Sequence, residues 1–409
     1  MIKTHHTDKI VSFLLPLFCF MLPISTFGTT VCLLTFVLLW LFTGDYIKKV
    51  GVFWQHPIAQ VFFILMLISF ISLFYTVADS KESYHGIKDS LRLGSITVFI
   101  YFFSQQSTEK LKNRCIQAFI FAMLLTAFLS YLKYFFHLLP HKPGLTEAAV
   151  FKNHIKTSFF MSMAAFFMMN KLRFQPKSVL LWFGSLCLLG NILFLSEARI
   201  GYVIVAFLMG YFFWHHAKVR KLIMLTSVLL TLIFIMQPFS LKITERINQI
   251  PKDLKNFETQ QDVKQSSIGS RLKFIEVSKN LIREKPLLGW GVGGFREAYS
   301  RNVPDLNLKT DNPHNEYLRI AVEFGVLGIA WFIFFIIRVQ HGINNMPTES
   351  RFLIQGIWLI CLMGCMVNSW LMDFSEGMFI ILMLSMFLGK VYENNVVNHR
   401  HNIQLATST

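Results

Sequence analysis

The sequence predicts an all-α polytopic membrane protein of about 12 transmembrane helices, and three observations carry that expectation. Apolar residues make up 54% of the 409 positions and charged residues only 15%, against roughly 25% charged in soluble chains. Mean hydropathy is +0.49. The apolar residues come in continuous runs, without the alternation that a closed barrel requires.

A span takes about 20 mostly apolar residues. Runs of that kind fall at 10–27, 29–43, 57–77, 91–105, 115–139, 155–170, 178–196, 199–214, 219–240, 318–339, 350–370 and 376–393. The first lacks an Ala-x-Ala-like exit and passes into the second, so it is expected to stay as an anchor. With the N-terminus placed in the cytoplasm, seventeen lysines and arginines fall in inside segments, and seven in the short outside loops and adjoining span ends. The positive-inside rule demands that asymmetry. Both termini are then cytoplasmic, and the net charge of +16 needs no nucleic-acid partner. Cys19, Cys32, Cys115, Cys187, Cys361 and Cys365 lie in or at the ends of runs without a CxxC pair, which predicts space-filling thiols and neither a disulfide nor a metal site.

Between the ninth and tenth runs lies the one large hydrophilic stretch, 241–316, expected as an outside loop that caps the bundle of a single membrane domain, 1–409. Within it Leu272, Ile275, Lys279 and Ile282 recur at helical spacing. Pro286 ends that helix, and Gly289, Gly291, Gly293 and Gly294 predict an irregular, closely packed turn. The other outside connections are expected at 78–90, 140–154, 196–199 and 373–376.

Asn312-Pro313 has the form of a helix start, a capping side chain followed by proline. His314 is then expected in the first turn of the tenth span, at the outer surface. At 100° per residue, Gly325 and Gly328 lie about 20° and 40° either side of it, a small-residue face that suits close helix packing in membranes. The histidine is therefore predicted to point into the bundle; the plain alternative is an interfacial histidine capping a helix. Asn315 follows it, and Tyr317 shares its face, as a site residue or an interface aromatic. Arg199 opens the eighth span and Arg271 opens the helical part of the large loop. Their planar forks suit a diphosphate, although arginines at span ends also snorkel to headgroups. Lys142 and Lys152 add charge in the 140–154 loop, as ligands or as solvated side chains. No Walker-type loop occurs, and no metal or cofactor is expected.

His314-Asn315, nine residues, Gly325, two residues and Gly328 fill the histidine motif of the O-antigen ligase family, and the chain resembles that family most strongly over about 196–370. The stretch from Arg271 through Lys285-Pro286-Leu287-Leu288-Gly289-Trp290-Gly291-Val292-Gly293 is similar to a second family block. Ser196-Glu197-Ala198-Arg199 stands where the family has a Ser-Arg opening to a span, with two residues inserted. The resemblance implies a GT-C-like fold in the bacterial inner membrane. It implies a glycan donor on undecaprenyl diphosphate, a lipid A–core acceptor, membrane lipids as surroundings and a metal-independent reaction on the periplasmic face. It makes His314 the essential histidine, and Arg199 and Arg271 the arginines on the donor diphosphate.

A sugar hydroxyl is too weakly acidic to attack unaided, so His314 is expected to act as general base; its alternative role is to bind the diphosphate. Three other functions share these features. An O-antigen polymerase is noted for Arg-x10-Gly motifs, which Arg199…Gly210 and Arg283…Gly294 formally fit, but it tends to have two sizeable outside loops. A protein O-oligosaccharyltransferase uses the same donor. A lipid-linked oligosaccharide transporter places ionisable groups near mid-bilayer, where this chain offers only Lys133 and Glu323.

Overall fold

The computed structural model describes residues 2–106, 108–138, 140, 146–196, 198–216, 267–303 and 310–389. All regular structure among them is helical. In chain order the helices are α1 (Ile2–Ile24), α2 (Thr26–Phe42), α3 (Tyr46–Gln55), α4 (Pro57–Ser72), α5 (Ser80–Gly94), α6 (Ile96–Gln106), α7 (Glu109–Phe136), α8 (His154–Leu172), α9 (Val179–Gly190, continued by a π-turn Asn191–Leu195), α10 (Arg199–His216), α11 (Ser267–Glu284), α12 (Phe295–Asn302), α13 (Glu316–Asn344), α14 (Thr348–Val367) and α15 (Phe374–Leu388).

Eleven of the twelve expected runs fall on these helices; 219–240 lies outside the described residues. By length and apolar composition, four helices among the described residues suffice to cross a membrane: Thr7–Ile24 within α1, then α7, α13 and α14. The pair α2–α3, bent by 115°, makes a fifth if counted as one span. Full-length helices among the described residues thus account for four or five of the twelve expected spans. The apolar run at 91–105 is cut between α5 and α6 at Ser95, and 57–77 ends as a helix at Ser72. The 78–90 segment, expected as a loop, is most of α5. Asp79 caps it by accepting from the Glu82 amide at 2.7 Å, and its buried face is made of Ser83, Gly86, Ser90 and Leu93, too small and polar to register as an apolar stripe. The described cysteines are all free, and five of the six are buried.

The chain divides into two compact units, one of residues 1–12, 34–109 and 253–409, the other of 13–33 and 110–252. In the first, α13 is central. Trp331 stacks on Phe335 at 5.7 Å, Phe62 of α4 and Trp358 of α14 pack edge-on against Phe335 at 5.1 and 5.2 Å, and the Trp331 indole donates to the Val61 carbonyl at 2.7 Å. A smaller cluster of Phe274, Val277, Leu281, Trp290, Phe295, Tyr299 and Val322 joins α11 and α12 to α13. In the second unit α8 packs with α9 and α10, and Gly201 lies against Ser158, where a side chain would have no room.

Helix α13 is broken. Gly325 sits at φ 59°, ψ −144°, a region open essentially to glycine. The break frees backbone groups, and the Pro286–Gly291 turn meets them: Trp290 and Gly291 N–H donate to the Val322 and Glu323 carbonyls at 2.9 and 2.8 Å, and Val326 N–H donates to the Pro286 carbonyl at 2.9 Å. The fit is reciprocal. A Cβ on Gly325 would lie 2.5 Å from the Leu287 oxygen, and one on Gly289 would lie 2.5 Å from the Val322 oxygen. The expected face for helix packing is therefore a docking point for a loop.

Candidate active site

Two features of the sequence stage the site: cap-forming residues ahead of α13, and a polar turn, Asn368-Ser369, after α14. His314 is not in the first turn of the span. Asn315 is the N-cap, its side chain accepting from the Leu318 amide at 3.0 Å, and the helix starts at Glu316. Asn312 instead turns the chain, accepting from the His314 amide at 2.8 Å, a side-chain turn typical of asparagine. His314 takes a left-handed backbone, φ 51°, which costs a non-glycine residue about 1–3 kcal/mol and persists only where its surroundings impose it. The wheel relation to Gly325 fails with the helix boundary.

The surroundings that impose it are dense. Each side chain from His314 to Tyr317 bonds to the 362–372 segment. His314 Nδ1 lies 3.0 Å from Asn368 Oδ1. The Asn315 amide donates to the Met366 carbonyl at 2.9 Å, and the Tyr317 hydroxyl to the Leu362 carbonyl at 3.1 Å. Fully buried Glu316 accepts from the Leu371 and Met372 amides at 2.9 and 3.1 Å. Ser369 adds a bond to Asn312 at 2.7 Å, and Asn368 Nδ2 donates to Asp373 at 3.1 Å. Among the described residues Nε2 of His314 makes no hydrogen bond. Asn368, Ser369 and Glu316 were not among the expected site residues; they stand some fifty positions from the histidine or carry a charge that reads as a helix-end acid.

Behind this turn lies a charged network that the loop-charge count did not foresee. Arg92 donates to the Met372 carbonyl and pairs with Asp89, at 2.5 and 2.8 Å. Arg319 approaches Asp89 at 4.0 Å and Glu323 at 3.4 Å. Glu323, expected only as an ionisable residue in the tenth span, is thus an ion-pair member.

Arg271 lies in the first turns of α11 and is exposed. One turn on, the Phe274 ring sits 5.9 Å from the imidazole, so the helix that carries Arg271 reaches His314. Phe274 also packs edge-on to Tyr299, whose hydroxyl burial pushes up to about 12; it remains a phenol. Arg199 is the first residue of α10, in the other unit. In that unit Lys152, expected in the 140–154 loop as a ligand or a solvated side chain, is buried, at 7% exposure. Lys133, expected well inside a span, lies in the last turn of α7 and donates to the Ala149 carbonyl at 2.7 Å. The π-turn ahead of Arg199 is pinned by Asn191, which donates to Ser130 at 2.8 Å. Lys142 lies outside the described residues. Among the described residues no group of three His, Cys, Asp or Glu could hold a metal ion.

Residues 183–333 match the family model described as O-Antigen ligase, a family whose members are membrane enzymes that make glycosidic linkages. An uncharacterized protein from Haemophilus influenzae is 24% identical over 206 residues, 46% of this chain and 51% of that protein. The chain spans about half the length of this curated relative.

Proposed function

From that family match, we propose that the protein is an O-antigen ligase. It moves a glycan from undecaprenyl diphosphate to a hydroxyl of the lipid A–core oligosaccharide, on the periplasmic face of the inner membrane. The observation that carries this reading is His314: an imidazole on a left-handed backbone, held by one ring nitrogen through Asn368, with the other left for chemistry.

In this mechanism the acceptor hydroxyl oxygen attacks the anomeric carbon as its proton passes to Nε2 of His314. The bond to the diphosphate oxygen breaks, and the diphosphate leaves with the electron pair. Arg271, one turn before Phe274 on α11, holds the diphosphate and stabilises its growing charge. A single displacement inverts the anomeric centre and needs no metal. General-base catalysis is worth about 10²–10⁴ in rate.

His314→Ala is expected to bind lipid-linked donor about as well as the parent and to lose transfer by at least about 10²-fold, read in detergent with purified donor and acceptor. Normal transfer by that variant overturns the assignment. A deletion strain separates the related activities. Long glycan left on its carrier with bare lipid A–core indicates a ligase, short glycan on the lipid a polymerase, and loss of glycan from protein an oligosaccharyltransferase.

A further inference from the structure

We infer that Asn368, itself oriented by Asp373, is a positioning residue that locks His314 in the Nδ1–H tautomer and so presents the Nε2 lone pair to the acceptor. The inference rests on His314 as general base and adds the means by which the base is kept in its working form.

The direction of the chain follows from donor and acceptor chemistry. A carboxylate only accepts. The edge of Asn368 that faces Asp373 at 3.1 Å is therefore its NH₂. The opposite edge, Oδ1, faces His314 Nδ1 at 3.0 Å and can only accept, so Nδ1 must donate. In a neutral imidazole the other nitrogen then carries the lone pair. A free histidine side chain in water favours the reverse, with the proton on Nε2, so the lock opposes the ring's own preference.

Asp373 shows that the arrangement is built. It occupies the N-cap of α15, where an aspartate ordinarily accepts from the helix amides, yet makes no side-chain cap bond. Its carboxylate turns to Asn368 instead. Its backbone is tied by a bond from its own amide to the Ser369 carbonyl at 2.8 Å. Asn368 ends α14, with its amide on the Gly364 carbonyl at 2.9 Å. Phe274, tilted 32° to the imidazole at 5.9 Å, restricts the ring from its other side. Two nitrogens, one fixed amide and one carboxylate form a one-way chain, the logic by which a third residue orients the base in a nucleophilic triad.

The test reads the tautomer directly and catalysis separately. Protein with ¹⁵N-labelled histidine in nanodiscs gives the His314 signal by difference against His314→Ala. The parent is expected to show Nδ1–H. Asn368→Ala is expected to shift the signal toward Nε2–H and to lower kcat by at least about 10-fold, since a wrong tautomer is costly, with the donor KM changed by less than about threefold. Because Asn368→Ala also removes a packing contact, the swapped pair Asn368→Asp with Asp373→Asn supplies a control. It rebuilds the chain in the same direction, with a carboxylate accepting from Nδ1 and an amide donating to it. It is expected to restore Nδ1–H and most of kcat, each variant assayed at its own pH optimum. An Nε2–H signal in the parent, or a swapped pair as inactive as Asn368→Ala despite a restored tautomer, overturns the proposal. Failure of the general-base reading shows elsewhere, as transfer by His314→Ala, and leaves the resting tautomer as found.

Discussion

The two ends of one short stretch of α13 are held by opposite means. At its start, residues 312–317 are tied to the 362–372 segment through side chains, with a histidine, two asparagines, a glutamate and a tyrosine each making a named bond. Nine residues on from Glu316, at Gly325, the helix is tied to the Pro286–Gly291 turn through backbone alone. A side-chain junction can be retuned residue by residue and can carry a titratable group. A backbone junction offers no chemistry but tolerates no Cβ. The two blocks that stand apart in the sequence, the proline-glycine block and the histidine motif, are at this second point a single object.

The largest expected effect tests the backbone junction. Gly325→Ala must adopt a conformation reserved for glycine and place its Cβ against the Leu287 carbonyl, a combined cost of roughly 4 kcal/mol. Thermal unfolding in detergent, or loss of monodisperse protein, reads it; a stable, active Gly325→Ala removes the distinction between the junctions. Glu316→Gln comes next. It takes a buried carboxylate from beside Arg319 and weakens the clamp on the Leu371 and Met372 amides, which is expected to cost about 3 kcal/mol. Its transfer rate should fall with the loosened Asn368 turn, whereas a destabilised variant with unaltered kcat separates the clamp from the site. Smallest is Asn315→Ala, which loses a helix cap and a tie to Met366, for about 1 kcal/mol, while His314 keeps its ring partner. A drop in Tm with kcat retained within about threefold sharpens the comparison; a lost kcat places Asn315 with the chemistry.

Much of this was legible from residue types. The apolar runs gave the all-helical class, Pro286 gave the end of α11, and Arg199 gave the first residue of α10. The histidine was legible as a site residue but not its setting. Asn312 and Asn315 are equally good caps on paper, and Pro313 favours the first. A distant carbonyl, that of Met366, together with the Leu318 amide settles the choice for Asn315. Arg92 counted as an outside charge because, although Asp89 lies only three residues before it, nothing local shows that the Met372 carbonyl also holds it. Asn368 was silent for the same reason: its meaning is a distance to residue 314, and no spacing encodes that.

The helix break also bears on how the chain is made. Peptide groups around Gly325 cannot be left bare in hydrocarbon, so this helix is ill-suited to wait alone in a bilayer for a partner. The segment that completes it, 286–291, leaves the ribosome first. Synthesis thus delivers the plug ahead of the gap, and the half-made protein is spared a stage with naked amides in lipid.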